Sequence, residues 1–294
     1  MTARAAAARR ATGARHPYAV VRLAALDLRR RPDHRSELLS QLLMGEVVRV
    51  EGMDRTGGWW RIRTDGDGYR GWSRSWGLIG TSAARARVWE RRASGRVEVT
   101  HAEARNEVDG AVLSPLFWRG RVILARRRGA LRLVELPDGR KGWVSAASVV
   151  PARQRPMSML RRLRSLMGVP YLWGGRTSCG LDCSALTQLV LGEQGVPIAR
   201  DAHDQFRSSR RLRTGEAPRE GDLVFFSVRP HSRVGHVGLC LGGGYFVHCR
   251  GWVRVASVQP GNPLFERDLF PQLRGFGRPK AAERRRPRRS RLRA

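Results

Sequence analysis

The spacing of hydrophobic and polar positions changes character about half-way along this 294-residue chain. Between about residues 16 and 150 the apolar residues come in short runs, Val20-Val21-Arg22-Leu23, Val47-Val48-Arg49-Val50 and Trp59-Trp60-Arg61-Ile62-Arg63. Gly57-Gly58 and Asp65-Gly66-Asp67-Gly68 punctuate them. Short β-prone runs with frequent turn residues predict small barrels. Beyond Pro156 the period lengthens. Met159, Leu160, Leu163, Leu166 and Met167 recur at helical spacing with arginines between them, which predicts a core-packing helix with its arginines on the outer face. A second helix, of about three turns, is predicted from Cys183 through Ala185, Leu186, Leu189, Val190 and Leu191 to a stop at Gly195. A polar helical segment follows around residues 200–206, then an apolar strand at Leu223-Val224-Phe225-Phe226. A hairpin is predicted from residues 235–241 and 245–249 around the turn Gly242-Gly243-Gly244. Helices followed by strands make the C-terminal region α+β.

The N-terminal β region repeats itself. At an offset of 71, Trp60-Arg61-Ile62-Arg63 aligns with Leu131-Arg132-Leu133-Val134, and Asp67-Gly68-Tyr69-Arg70-Gly71-Trp72 with Asp138-Gly139-Arg140-Lys141-Gly142-Trp143. Each copy then reaches an apolar ending, Leu78-Ile79 or Val149-Val150. One offset shared by three features predicts two copies of one barrel, at 16–80 and 85–150, with Trp72 and Trp143 in their cores. Residues 151–156 read as a linker, 157–277 as the α+β domain, and 1–15 and 278–294 as basic, disordered tails.

Charge adds less than its size suggests. Basic residues number 56 against 25 acidic, a net charge of +31, and all the basic residues except Lys141 and Lys280 are arginine. The excess is spread over the whole chain and no nucleic-acid reader motif accompanies it, so a specific nucleic-acid site is not expected. Weak attraction to polyanions is. Cysteines 179, 183, 240 and 249 form no C-x-x-C pair, so neither a disulfide scaffold nor a structural zinc site is expected, and no metal or cofactor is assigned. Residues 1–15 lack the apolar core of a signal peptide, and no apolar run approaches membrane-spanning length. A cytoplasmic protein is the resulting expectation.

The chemistry centres on Cys183. A helix's first turn has unpartnered N–H groups and the positive end of the helix dipole, which bias a thiol there toward thiolate. If the hairpin loop is three residues, Leu241 to Gly243, then His236 lies opposite His248, Val237 opposite Val247 and Leu239 opposite Tyr245, so both imidazoles share one face. One imidazole can then act as base while the other fixes its tautomer.

Taken together, Pro170-Tyr171-x-Trp173-Gly174-Gly175, Asp182-Cys183-Ser184, Arg200-Asp201-Ala202-x-x-Gln205, Gly221-Asp222-Leu223-x-Phe225-Phe226, Gly235-His236-Val237-Gly238 and His248 resemble the NlpC-type cysteine peptidases, papain-like bacterial enzymes that cut cell-wall peptides. The resemblance covers about residues 155–275, and the repeated D-G-x-x-G-W pattern resembles bacterial SH3-like domains. The implied fold is multidomain: two small all-β SH3-like barrels followed by an α+β papain-like cysteine peptidase domain. The resemblance implies Cys183 as nucleophile, His236 as general base, His248 as the polar third member and Tyr171 as an oxyanion donor beside the thiol. Tyr171 reads equally well as a packing residue. Ala185 and Ala199 stand where the family usually has glycine and proline. The implied activity is hydrolysis of the γ-D-glutamyl–L-diamino acid bond in murein-derived peptides with a free N-terminal L-alanine. For its ammonium group Asp182, Ser184, Glu37 and Tyr69 are the candidate partners, although Glu37 also reads as a solvated surface residue. Arg200, His203 and Gln205 are assigned structural roles. Amidase or acyl-transfer chemistry on the same triad, and a non-catalytic wall-binding protein, are the alternatives.

Overall fold

A computed structural model describes residues 16–229 and 232–280. The tail expected at 1–15 and all but the start of the one expected at 278–294 lie outside the described residues. The chain divides into two compact units. Residues up to Arg155, joined by Leu172–Gly180, make the first; Pro156–Tyr171 and the residues from Leu181 onward make the second.

The first unit contains two seven-stranded sheets. β1 (Tyr18–Val21), β2 (Ala25–Arg29), β3 (Leu38–Leu43), β4 (Val47–Met53), β5 (Trp59–Thr64), β6 (Arg70–Arg74) and β7 (Leu78–Thr81) are ordered β3-β2-β6-β5-β4-β1-β7. β8 (Gly95–Val97), β9 (His101–Arg105), β10 (Val112–Phe117), β11 (Arg121–Arg128), β12 (Leu131–Glu135), β13 (Lys141–Ser145) and β14 (Val149–Pro151) are ordered β10-β9-β13-β12-β11-β8-β14. The second order is the first with every strand replaced by its counterpart. The repeat in sequence is therefore a repeat in topology. The offset of 71 holds for β6 and β13 and for β7 and β14, but upstream the copies drift, with β2 beginning at 25 and β9 at 101. Loops of unequal length between otherwise matched strands cause the drift.

Two expectations need correction. Residues 85–92, assigned to the second barrel, belong to helix α1 (Ala83–Arg92). Its alanines and arginines are good helix formers, and the Ser82 hydroxyl caps it by accepting from the Arg85 N–H. Trp72 and Trp143 are only half-buried. The strand period puts their neighbours inward instead, Gly71 and Ser73 in one copy, Gly142 and Val144 in the other. Trp143 lies under the Arg126 guanidinium.

The core of the second copy takes in residues of the first, whereas the core of the first is its own. Ala24 and Met44 pack with Val97, Leu116, Val122, Val134 and Leu136 of the second copy. Gly45 turns the chain at this point with φ 79°, and a Cβ there would lie 2.6 Å from the Arg121 carbonyl oxygen. Its own carbonyl accepts from the Trp89 indole N–H at 2.9 Å.

Along the chain, helix α2 (Met159–Leu166) comes before the two-stranded ribbon β15 (Arg176–Thr177) and β16 (Gly180–Leu181), and helices α3 (Cys183–Glu193) and α4 (Ala202–Ser208) come after it; all three helices belong to the second unit. Its antiparallel sheet comprises β17 (Ser209–Arg211), β18 (Leu223–Ser227), β19 (Val234–Gly242), β20 (Tyr245–Arg250), β21 (Trp252–Ser257) and β22 (Leu273–Pro279), ordered β17-β22-β18-β19-β20-β21. Helices α3 and α4 both pack on β19. The α+β expectation matches this arrangement.

Helix α3 is buried along almost its whole length, and Gly195 ends it with φ 72°. Helix α2 departs from its expected pattern, because Arg162 lies on the buried face with Met159, Leu163 and Leu166. Its guanidinium donates to both Glu193 oxygens at 3.0 Å, a fully buried bidentate pair that ties α2 to the end of α3. The tail boundary also moves. Arg278 is buried in β22 and bonds Asp222 at 2.8 and 2.7 Å and Glu216 at 2.9 Å, so the fold continues to Pro279. Among the described residues no helix is long and apolar enough to cross a membrane.

Candidate active site

The hairpin delivers both imidazoles, in a different register from the expected one. Gly238 pairs with His248, Leu239 with Val247 and Cys240 with Phe246, and the ladder shifts before Gly242 pairs with Tyr245. The turn is therefore Gly243-Gly244, and His236 faces His248 diagonally instead of directly. A shift of two residues keeps side chains on the same face, which is why the histidines still meet. His236 Nε2 and His248 Nδ1 are 2.9 Å apart. Gly238 lies between them on that face; a Cβ there would come within 2.6 Å of Phe246 and 3.1 Å of Val224.

Cys183 is the first residue of α3. Asp182 caps the helix, its Oδ1 accepting from the Ala185 N–H at 2.7 Å. The backbone N–H groups of Ser184 and of Val237, the residue after His236, favour negative charge on the Cys183 sulfur. The sulfur thus lies at the strand that carries the proposed base. Burial dominates, however, and together with the Asp182 charge it pushes the thiol up to about 12. The helix start does not by itself make a thiolate. Burial, with the charges of Arg250 and Arg254, holds His236 down to about 4. Burial and the neighbouring His236 hold His248 lower still. Burial thus opposes charge on the thiol and on both imidazoles.

Tyr171 is held next to Leu181 by a bridge, and its N–H donates to the Gly251 carbonyl at 2.7 Å. Burial raises its phenol above the ordinary value, and so do the charges of Cys183 and Asp182. It therefore stays a hydrogen-bond donor at any physiological pH. The thiol of Cys249 donates to the Leu181 carbonyl at 3.1 Å, which ties β20 to the backbone two residues before Cys183.

The candidate recognition residues divide. Asp182 is buried, and both its oxygens are taken by Arg200 at 3.0 and 2.6 Å. Ser184 donates to Asp182 at 3.0 Å and accepts from Arg200 at 2.9 Å. The Asp182 charge is thus matched inside the protein, and Arg200 is the residue the motif reading undervalued. The structural role assigned to it did not anticipate this ion pair with the residue that precedes Cys183. Gln205, buried, bonds Thr187 and the Ser184 and Ala199 carbonyls, consistent with a structural role, whereas His203 is exposed.

Glu37 and Tyr69 belong to the first unit. Glu37 accepts from Arg30 at 2.6 Å and from the Trp173 indole at 3.1 Å, and Arg30 holds its carboxyl below the usual range. Tyr69 is partly buried against the core of the first sheet. In the same unit, Arg176 bonds Glu46 at 3.2 and 3.1 Å and the Gln41 carbonyl at 2.7 Å.

A buried thiol at a helix start, beside an imidazole pair carried on two neighbouring strands, is an arrangement that a cysteine peptidase can use. Residues 168–270 match the NlpC/P60 family. This segment is an NlpC/P60 cysteine peptidase domain. Residues 28–75 match the bacterial dipeptidyl-peptidase Sh3 domain, within the first sheet. The chain is 26% identical over 220 residues to the gamma-D-glutamyl-L-lysine dipeptidyl-peptidase of Bacillus subtilis, covering 71% of each protein. It is 34% identical over 132 residues to peptidoglycan endopeptidase RipB of Mycobacterium tuberculosis, covering 40% of this chain and 53% of that relative. A crystal structure of an NlpC/P60 family protein from Bacillus cereus has the same fold, with a TM-score of 0.73 at 20% identity, over 89% of this chain and 98% of that one. Strand β22 extends the sheet of the NlpC/P60 domain past the end of the matched segment.

Proposed function

We propose that this NlpC/P60 peptidase hydrolyses the γ-D-glutamyl–L-diamino acid bond of murein-derived peptides that carry a free N-terminal L-alanine. The observation that carries the reading is the 2.9 Å contact between His236 Nε2 and His248 Nδ1, which leaves His236 Nδ1 as the ring nitrogen available to the Cys183 thiol. The family match, the dipeptidyl-peptidase type of the Sh3 domain and the name of the Bacillus subtilis relative support the choice of bond. The second sheet repeats the strand order of the first, which supports reading it as a second SH3-like barrel.

In the proposed reaction His236 Nδ1 takes the thiol proton as Cys183 attacks the γ-carbonyl carbon. Negative charge collects on the carbonyl oxygen, where the Cys183 backbone N–H and the Tyr171 hydroxyl donate. His236 then protonates the leaving amine of the diamino acid, which departs and leaves an L-alanyl-γ-D-glutamyl thioester. Water, deprotonated by His236, releases the dipeptide and restores the thiol.

Glu37 and Tyr69 are proposed for recognition of the ammonium group on the family resemblance. The asymmetry between copies, Tyr69 against Arg140, favours the first as the one with this duty. Asp182 and Ser184, in the second unit, are proposed for the same duty on the family resemblance, with Arg200 balancing the charge of Asp182. Such a reaction would serve turnover or recycling of the cell wall.

Comparing L-Ala-γ-D-Glu-L-Lys and L-Ala-γ-D-Glu-meso-diaminopimelate with their N-acetylated forms tests this specificity. Acetylation is expected to lower kcat/KM by about 100-fold, as lost charge-assisted bonds of about 3 kcal/mol would. Glu37→Gln and Tyr69→Phe should each narrow that gap. Equal cleavage of free and acetylated peptides would remove the amine subsite and leave amidase or acyl-transfer chemistry on the same triad.

A further inference from the structure

The base needs one particular tautomer, and the structure contains a group outside the triad that can select it. His236 Nε2 faces His248 Nδ1, so for His236 to offer a lone pair at Nδ1 its proton must sit on Nε2. That proton is donated to His248 Nδ1, which must therefore be unprotonated. The neutral His248 must then carry its own proton on Nε2. Its ring is fully buried, and this Nε2 has no hydrogen-bond partner within reach. The nearest carboxylate oxygen is Glu266 Oε1, at 3.7 Å.

Glu266 is placed there by the sheet. His248 pairs directly with Arg254 across β20 and β21, so the two side chains share a face. Arg254 donates to Glu266 Oε1 from Nε at 3.2 Å and from Nη2 at 2.5 Å. The Glu266 backbone N–H donates to Ser257 at the end of β21 at 3.0 Å, and Phe265 bridges the same residue. The carboxylate is thus fixed at both its backbone and its head. The charged and titratable groups around the histidine pair are Arg250 on β20, Arg254 on β21, Glu266 on the following loop and Asp182 at the start of α3.

We propose that Glu266 is a positioning residue for this peptidase, which holds His248 as the Nε2–H tautomer and thereby, through His236, keeps the lone pair of the base directed at Cys183. The positioning relay is Glu266–His248–His236, with Arg254 as its anchor. An acceptor 3.7 Å away in a buried site favours the donor tautomer electrostatically, and the contact shortens when His236 takes the thiol proton and the pair becomes cationic. The inference rests on the triad reading and concerns the free enzyme, so it does not depend on the substrate assignment.

Nitrogen-15 NMR of the histidine rings in the intact protein near pH 7 tests it directly. In the native protein His248 is expected to show a protonated Nε2 and an unprotonated Nδ1. Glu266→Ala should shift population to the Nδ1–H form, and Glu266→Asp should keep the native pattern. If the alanine variant does not fold, Glu266→Met fills the space without an acceptor and carries the same expectation. The loss of acceptor should lower kcat at least about tenfold with KM little changed. A native His248 protonated on Nδ1, or one that stays Nε2–H in the folded alanine or methionine variant, overturns the proposal whatever the rates do. Failure of the triad reading itself would show separately, as full activity in Cys183→Ala.

Discussion

Cys183 is subject to opposing influences, and their balance decides its state. The Ser184 and Val237 N–H groups favour the thiolate, while burial and the Asp182 carboxylate oppose it and win. With His236 held near 4 by burial, proton transfer from thiol to imidazole is uphill in the free enzyme. Alkylation of Cys183 by iodoacetamide should therefore rise steadily with pH through the neutral range, without the flat plateau from pH 5 upward that a thiolate–imidazolium pair gives. Such a plateau would contradict this assignment. The same residues set the acid side of stability. Both imidazoles have folded values below their ordinary 6.5, so the unfolded chain binds more protons than the folded one below that pH. Their contribution is fully present above about 6.5 and is lost as pH falls toward 4. The motifs made Cys183, His236 and His248 legible at this scale, because spacing carries strand and helix periods. The state of the thiol was not legible, since burial is a property of the packed whole.

At the scale of elements, pattern predicted which segments are helices and strands better than it predicted how they pair. The hairpin was readable as a hairpin, yet its register was off by two. Three consecutive glycines allow several turns, and a shift of two leaves every side chain on its expected face. Arginine misled the reading in a different way. In α2 a charged residue at helical spacing reads as solvent-facing, but Arg162 finds Glu193 at the end of α3, 31 positions away. No local pattern encodes such a partner. The pair gives a sharp expectation for thermal or denaturant unfolding. Arg162→Met alone should cost about 3–5 kcal/mol by leaving Glu193 buried without its counter-charge, whereas Arg162→Met with Glu193→Leu should recover most of that loss. A double variant as unstable as the single one would mean that the pair's geometry, and not its charge balance, holds α2 in place.

For the whole molecule, the repeated D-G-x-x-G-W pattern revealed the two matched sheets because their C-terminal strands keep one spacing. Helix α1, inserted where the second copy was expected to begin, breaks the resemblance upstream. The late strand β22, which enters the peptidase sheet between β17 and β18, was hidden by the arginine-rich composition around it. Arg278 looked like the start of a tail and is instead a buried partner of Asp222 and Glu216. Net charge was the least informative feature, since so many arginines here have partners inside the fold. The central claim is that Cys183 and His236 cut a γ-glutamyl bond in a short murein peptide. Mass spectrometry of L-Ala-γ-D-Glu-meso-diaminopimelate incubated with the native protein, Cys183→Ala and His236→Ala tests it most directly. The native protein should release L-Ala-γ-D-Glu and free diaminopimelate while both folded variants leave the tripeptide intact; cleavage by either variant at the native rate, or the intact tripeptide with all three proteins, would contradict it.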